Sequence, residues 1–410
     1  MGTEIAGTGT AAHNEGGQDH SAVAFVSGDQ VTPGPPAHVL ASLTAYGAGH
    51  VVGDRTVRTA HADSHVLVGR RQRGRAERER AQDSQMAPGA TRAWGAGDRA
   101  VEEAPDPVRT CFEKDRDRIL HAAAFRRLAG KTQVVISAAS RDDNYRNRLT
   151  HAIEVAQVAA AIARPAGLNV ALVEAIAFGH DCGHGPTGHA SEEAFSPYLP
   201  GGFDHAPYGA HVVLEKLNLT AQVIDGIATH SWRLPAASTP EGEVVAFADR
   251  IAYVCHDADD AIRAGIITAK SLPEDVRTLA GTDQSSQVGY FIAAVLEGTD
   301  LSSYVAISEP AATVLDNFRK FNYEHIYQRP ASLRQSEAAI KLLRSLVEYF
   351  IDAPGKVPDV ASGAVPFPAS GSQAAADIAV RYVSSMTDHY AFALAVEQLG
   401  WAPDRLPRGI

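Results

Sequence analysis

Between His180 and His189 the chain reads His180-Asp181-Cys182-Gly183-His184-Gly185-Pro186-Thr187-Gly188-His189, which places three imidazoles and a carboxylate in one short stretch. An adjacent His-Asp pair offers a borderline-soft nitrogen and a hard oxygen, a mixed donor set suited to a divalent metal. The further histidines, His184 and His189, are groups that can exchange protons near neutral pH. Glycine and proline interrupt the segment, so no single unbroken helix carries it. One cluster of this kind does not make a metal centre; the centre needs ligands from elsewhere in the chain.

Two other segments offer them. In the run Arg148-Leu149-Thr150-His151, His151 shares a helical face with Val155, Val158 and Ile162, at i+4, i+7 and i+11. That face turns to the core, where a lone histidine is more often a hydrogen-bonded core residue than a ligand. His180 stands at i+7 from Val173, with Ile176 and Ala177 between them, so it also points inward. The Asp181 beside it is costly to bury unless paired or metal-bound. Further on, Asp249, Tyr253 and Asp257 recur at i, i+4 and i+8, with Arg250 beside them, on a helix otherwise rich in Ala246, Phe247, Ile251 and Ala252. A solvated face is the competing reading, and those apolar neighbours disfavour it. His151, His180, Asp181 and Asp249 together are two imidazoles and two carboxylates. Such a set suits Mg, Mn, Fe, Co or Zn, with positions left for water and substrate.

The elements that must hold these residues read as helices. Asp115 to Ala129, Asn147 to Ala163, Asn169 to Gly179 and Glu243 to Gly265 show helical spacing or caps, as do 282–298, 309–325, 331–352 and 373–399. Thr132 to Ile136 reads as a short extended piece. There is no βαβ alternation, GxGxxG or P-loop, so the expected fold is all-α, a helical bundle with additional C-terminal helices. The first hundred residues lack lysine and any sustained apolar period. They predict a low-complexity, disordered extension over 1–100, ahead of a catalytic core over 101–350 and a linker with a C-terminal helix over 351–410. Six histidines in that extension have no partners at ligand spacing. Its basic run, Arg70 to Arg80, reads as solvated rather than as an arm for single-stranded nucleic acid.

At 410 residues with a formal net charge of -11, the chain can bury a sizeable core and does not attract nucleic acid over its whole surface. Three widely spaced cysteines, no apolar run of membrane-spanning length and no secretory signal predict a cytoplasmic protein without disulfides.

The order H…HD…D on successive helices resembles the HD-domain phosphohydrolases. The likeness is sharper than that. Glu113-Lys114-Asp115-Arg116-Asp117-Arg118-Ile119-Leu120-His121, Phe125-Arg126-Arg127-Leu128 and Lys131-Thr132-Gln133-Val134 resemble the opening of the bacterial dGTPase-like proteins. Asn147 to His151 with Glu154-Val155, the His180 to Glu192 motif, and Asp249-Arg250-Ile251-Ala252-Tyr253 with His256-Asp257 continue it. The resemblance covers about residues 109–350. It implies an all-helical HD fold and cleavage of deoxynucleoside triphosphates to deoxynucleoside and inorganic triphosphate. It also implies a divalent metal, a homo-oligomer and activation by a dNTP.

Carried over by position, the resemblance makes His151, His180, Asp181 and Asp249 the metal ligands. His189 becomes the catalytic histidine, with Glu192 orienting or tuning it. Arg148, Arg250, Tyr253 and Asp257 match positions near the triphosphate, His184 and His205 the phosphate and sugar region, and Gln133 a position near sugar or base. A bound triphosphate carries up to four negative charges, which a metal and two guanidiniums can neutralise. His189 is the candidate proton donor to the leaving 5′ oxygen; the competing reading is a turn histidine bonded to backbone. Thr187 stands where the family has an aromatic, and Ala206, Pro207 and Tyr208 replace polar residues after Asp204-His205, so substrate contacts and base preference depart from the family. Two alternatives remain: an HD phosphohydrolase acting on a nucleoside monophosphate or guanosine alarmone, and a non-catalytic nucleotide sensor.

Overall fold

A computed structural model of the chain describes residues 49–52, 55–58, 73–133 and 145–407. The chain divides into two units, Met1–Arg71 and Gln72–Ile410. In the first, β1 (Gly49–Val52) and β2 (Arg55–Arg58) pair antiparallel, with His50 opposite Val57 and Val51 opposite Thr56. The β-branched Val51, Val52, Thr56 and Val57 suit strands, a short signal that the disordered reading of this region passed over.

The second unit is helical throughout. It comprises α1 (Arg75–Asp83), α2 (Cys111–His121), α3 (Ala123–Arg127), α4 (Arg148–Ala163), α5 (Val170–Gly179) and α6 (His189–Phe195). There follow α7 (His205–Tyr208), α8 (Ala221–Thr229), α9 (Pro240–Arg263), α10 (Gln284–Ser302) and α11 (Glu309–Asn322). The chain closes with α12 (Pro330–Asp352), α13 (Pro358–Ala361), α14 (Gln373–Ser384) and α15 (Asp388–Leu399). Local chemistry starts the long ones. Asn147 caps α4 through Thr150, Asn169 caps α5 through Leu172, and Thr239 with Pro240 opens α9. Among the described residues no helix is long and apolar enough to cross a membrane.

Two cores form. The larger packs Val155, Ala159 and Ile162 of α4 against Val173 and Ile176 of α5 and Val245, Ile251 and Val254 of α9, all buried. The smaller gathers Leu342, Leu346 and Phe350 of α12, Val380 and Val383 of α14 and Ala391 of α15. It also takes in Ala194 and Phe195 of α6. The short α6 is thus mounted on the C-terminal helices, while α4, α5 and α9 belong to the larger core.

Several expected boundaries move. Asp115 to Ala129 is two helices, because Ala122 is extended at ψ 144° between α2 and α3. The span 373–399 is likewise α14 and α15, broken where the Thr387 side chain caps the second by accepting from the Tyr390 N–H. Thr132 bridges to Asn147 as an extended residue, and Val134 to Ile136 lie outside the described residues. The largest correction concerns the extension expected through residue 100: residues 73–100 are built into the folded unit. Arg75 and Arg78 of the basic run lie on α1, where Arg75 pairs with Glu79 and Arg78 with Glu113.

Arg99 explains why this segment docks. Its side chain is only 1% exposed, and its Nη1 donates to Asp115 Oδ1 at 2.5 Å and to the Asn218 carbonyl at 2.6 Å. Asp115 in turn accepts from the Thr220 N–H at 2.8 Å. Removing one partner of such a pair leaves a charge buried without compensation. Arg99→Ala is therefore expected to destabilise the fold by about 3–5 kcal/mol, measured as a lower urea midpoint. A loss below about 1 kcal/mol would mean that residues 73–100 contribute little to the fold.

Candidate active site

The first turn of α4 brings in Arg148 and His151, both buried. The end of α5 brings in His180 and Asp181, and the middle of α9 brings in Asp249. His151 Nε2 lies 3.0 Å from Asp249 Oδ1, and His180 Nε2 lies 3.7 Å from the same oxygen and 3.5 Å from Asp181 Oδ1. Burial raises the cost of both carboxylates. Even so, His151, His180 and His230 hold Asp249 below the usual range, and Arg148, at 2.7 Å, with His180 and His184 does the same for Asp181.

The fit to a cation rests on His180. Its Nδ1–H donates to the Ala177 carbonyl at 2.6 Å, which leaves Nε2 as the ring atom turned toward the carboxylates. That Nε2 is buried, has no hydrogen-bond partner, and faces two carboxylate oxygens. When it binds as a neutral imidazole, this nitrogen and the two carboxylate oxygens form a donor set that a cation between them satisfies. His151, His180 and Asp249 present ligand atoms close enough to share one ion. Three of the four residues predicted as ligands, from three separate segments, therefore converge and fit a divalent metal, while the fourth, Asp181, groups with His180 and His230.

A second group lies beside it. The turn after Asp181 needs glycine at 183, because a Cβ there would sit 1.9 Å from the His205 carbonyl oxygen. Gly188 has φ +65°, and a Cβ there would meet Arg148 Nη2 at 2.3 Å. His189 then opens α6, with its side chain 71% exposed and its Nδ1 3.6 Å from Glu192 Oε2. The shorter bond of Glu192 is to His205, whose Nδ1 donates to Oε1 at 2.5 Å. Burial works against the Glu192 carboxylate, but the nearby His189 and the hydrogen bond from His205 hold it well below the usual range. His184 stacks on His205 with ring centroids 3.7 Å apart and reaches Asp181 Oδ1 at 3.2 Å. Burial, with Arg148 and His205 nearby, pushes His184 far down, so it is neutral at pH 7.

On α9, the Arg250 guanidinium lies 3.5 Å over the Trp232 ring. Asp257 is buried and accepts from the Tyr327 hydroxyl. These groups surround a cavity of about 780 Å³, a volume suited to a small-molecule ligand. Every predicted site residue lines it, Gln133 and Tyr253 included, except His180, which lies fully buried behind the wall.

Among the lining residues that the sequence reading did not name, three bear on the chemistry. His230 sits with its Nε2 3.1 Å from His205 Nε2, its own Nδ1 donating to the Ile227 carbonyl at 2.8 Å. The spacing Val223, Gly226, Ile227, His230 on α8 would have marked it as inward. Arg319 and Tyr327 come from α11 and the turn after it. Nothing local distinguishes them from other residues of an amphipathic helix.

Burial, above all, pushes the Asp257 carboxyl up to about 7, against the Tyr327 hydrogen bond. Between its ordinary 3.8 and about 7 the folded protein holds a proton that the unfolded chain has released. Its contribution to stability is thus complete at low pH and lost as pH rises through about 7. Asp257→Asn should flatten the fall in stability across that window when unfolding is followed in urea at several pH values. An unchanged slope would mean that Asp257 does not titrate there.

Residues 148–254 match the HD domain, and residues 305–397 match the phosphohydrolase-associated domain. A deoxyguanosinetriphosphate triphosphohydrolase-like protein of Caldanaerobacter subterraneus is 39% identical over 312 residues, covering 75% of this chain and 90% of the relative. Its namesake in Clostridium tetani is 37% identical over 323 residues, with the same coverage. Another, from Clostridium perfringens, is 39% identical over 272 residues, covering 63% of this chain and 79% of the relative.

Proposed function

Since the chain belongs to the deoxyguanosinetriphosphate triphosphohydrolase-like family of HD-domain phosphohydrolases, we propose that it cleaves deoxynucleoside triphosphates to deoxynucleoside and inorganic triphosphate. The observation that carries this reading is a single cavity shared by the metal cluster, the His189–Glu192 pair and four guanidiniums, those of Arg148, Arg233, Arg250 and Arg319. Several positive groups around one cavity suit a triphosphate better than a monophosphate.

His151, His180, Asp181 and Asp249 would hold the divalent ion. When bound, that ion supplies Lewis-acid charge at the reacting phosphoryl group. The chain's own residues do the rest. Arg148, Arg250 and Arg319 bind and orient the phosphates, placing the α-phosphorus toward the metal side of the cavity. A water oxygen adds to that phosphorus as its bond to the 5′ oxygen breaks, and the water's second proton passes to solvent. His189 Nε2 gives its proton to the departing 5′ oxygen, so the nucleoside leaves as a neutral alcohol. Glu192 steadies the imidazolium before transfer and keeps His205 fixed beside it. Gln133, Tyr253, Asp257 and Tyr327 line the wall left for the sugar and base. We place the enzyme in the cytoplasm, in keeping with three free, buried cysteines, and carry a homo-oligomer and a dNTP activator as parts of the proposal. No described feature supports binding of single-stranded nucleic acid.

The test is to incubate the protein with each dNTP and Mg, Mn or Co, and to resolve the products by chromatography. Deoxynucleoside and inorganic triphosphate in equal amounts are expected. Orthophosphate, pyrophosphate, or turnover of a monophosphate or alarmone alone would overturn the substrate assignment. Tight binding without turnover would leave a nucleotide sensor. Turnover restored only by mixed dNTPs would reveal the activator, and sizing in solution tests the oligomer.

A further inference from the structure

The two halves of the site are mounted on different cores. Asp249, His151 and His180 come from the helices of the larger core, whereas His189 and Glu192 ride on α6, which buries Ala194 and Phe195 among the C-terminal helices. Proton transfer requires the two halves to be held to within a fraction of an ångström, so whatever joins the cores sets the chemistry.

Two buried side chains make the joint. Asp388, at the start of α15, accepts from the Thr187 N–H at 2.8 Å with one oxygen. With the other it accepts from the Thr132 N–H at 2.9 Å and the Thr132 hydroxyl at 2.6 Å. Lys131 Nζ donates to the Ser384 carbonyl of α14 at 3.0 Å and to the His184 carbonyl of the catalytic turn. The Lys131 carbonyl in turn accepts from the Arg148 N–H at 3.1 Å, where α4 begins. One short segment thus links the C-terminal helices, the turn from His184 to Thr187, and the helix that carries Arg148 and His151.

Two features show that this turn needs an outside hold. Thr187 has φ +63°, a left-handed conformation costly for a β-branched residue. Lys131 is 3% exposed, and burial pushes its amine down to about 7. Keeping it there costs stability, and its two bonds go to backbone on either side of the joint.

We infer that Asp388 and Lys131 are positioning residues for the reaction, by which the C-terminal phosphohydrolase-associated helices hold the catalytic turn and His189 in register with the metal cluster. This rests on the triphosphohydrolase reading above. Neither residue lines the cavity, so neither touches substrate.

Asp388→Asn turns an NH₂ toward one of these donors. It is expected to lower kcat about 10- to 100-fold, the size of effect that a displacement near 1 Å produces. KM and metal content should stay within about twofold, because Arg148, Arg250 and the ligands keep their own helices. Lys131→Met should behave alike. Should either variant fail to fold, Thr132→Val removes only the hydroxyl contact; a kcat about 3- to 10-fold lower at unchanged KM is then expected, one weakened contact shifting the turn less. A folded Asp388→Asn or Thr132→Val with wild-type kcat would overturn the inference, as would a loss of metal in step with kcat. Wild-type turnover is measured first, so a failure of the substrate reading stands apart. A crystal structure of Asp388→Asn then reads the joint without substrate: a displaced 184–189 turn on an intact larger core is expected, and an unmoved turn overturns the inference.

Discussion

Asp249→Ala is expected to abolish turnover and metal retention together. Asp249 faces both His151 and His180, at 3.0 and 3.7 Å, and is the carboxylate that α9 contributes to the cluster. Without it the cluster keeps two imidazoles and Asp181, whose other oxygen is already taken by Arg148. A Lewis acid worth several kcal/mol at the phosphoryl group is then lost, which at about 1.36 kcal/mol per decade lowers the rate on the order of 10³-fold or more. Metal analysis of the purified protein and kcat with saturating metal give the two readouts. In the wild type, added metal should also raise the thermal midpoint, since it binds only the folded form, and Asp249→Ala should lose that rise. A variant that keeps both its metal and its turnover would remove Asp249 from the ligand set.

His189→Ala carries the other large effect. His189 is the most exposed of the histidines ringing the cavity, so its removal leaves no void in the core. Glu192 retains its 2.5 Å bond from His205, and the metal cluster is untouched. The change should therefore act on the chemical step: kcat lower by about 10²- to 10⁴-fold, the range of a general acid, with KM and metal content little altered. The alkaline limb of the pH–rate profile, which reports loss of the acid's proton, should disappear in the variant. Equal activity in wild type and variant would refute the proton-donor role and favour the reading of His189 as a turn residue. Glu192→Gln is a poorer probe, because it disturbs His189 and His205 at once.

The His/Asp cluster was legible because each of its residues carries a local signal. His151 and His180 recur in phase with Val155 and Val173, and a polar stripe on an apolar helix exposed Asp249. Spacing alone places each residue on an inward face. That the faces meet follows from packing, and here they do, with His151 3.0 Å and His180 3.7 Å from the same Asp249 oxygen. Glu192 shows the limit of such reasoning. Its i,i+3 spacing suggested His189 as its partner, yet its closest contact is His205, because Gly183 lets α7 and the Gly209 that follows it approach the turn after Asp181. The order of residues 73–100 was missed for a similar reason. A composition rich in Gly, Ala and Arg looks solvated until Arg99 finds Asp115.

By itself, then, the sequence determined the helical period, the caps, the inward side of each helix and the identity of the groups that can bind a metal or move a proton. These depend on residues within a few turns of one another. Tertiary structure alone decided which groups touch. His230 reaches His205, Tyr327 reaches Asp257, and Asp388 reaches Thr132 and Thr187 across most of the chain. Such contacts leave no local trace, because a buried aspartate at a helix start reads as an ordinary cap until the fold supplies the backbone it holds.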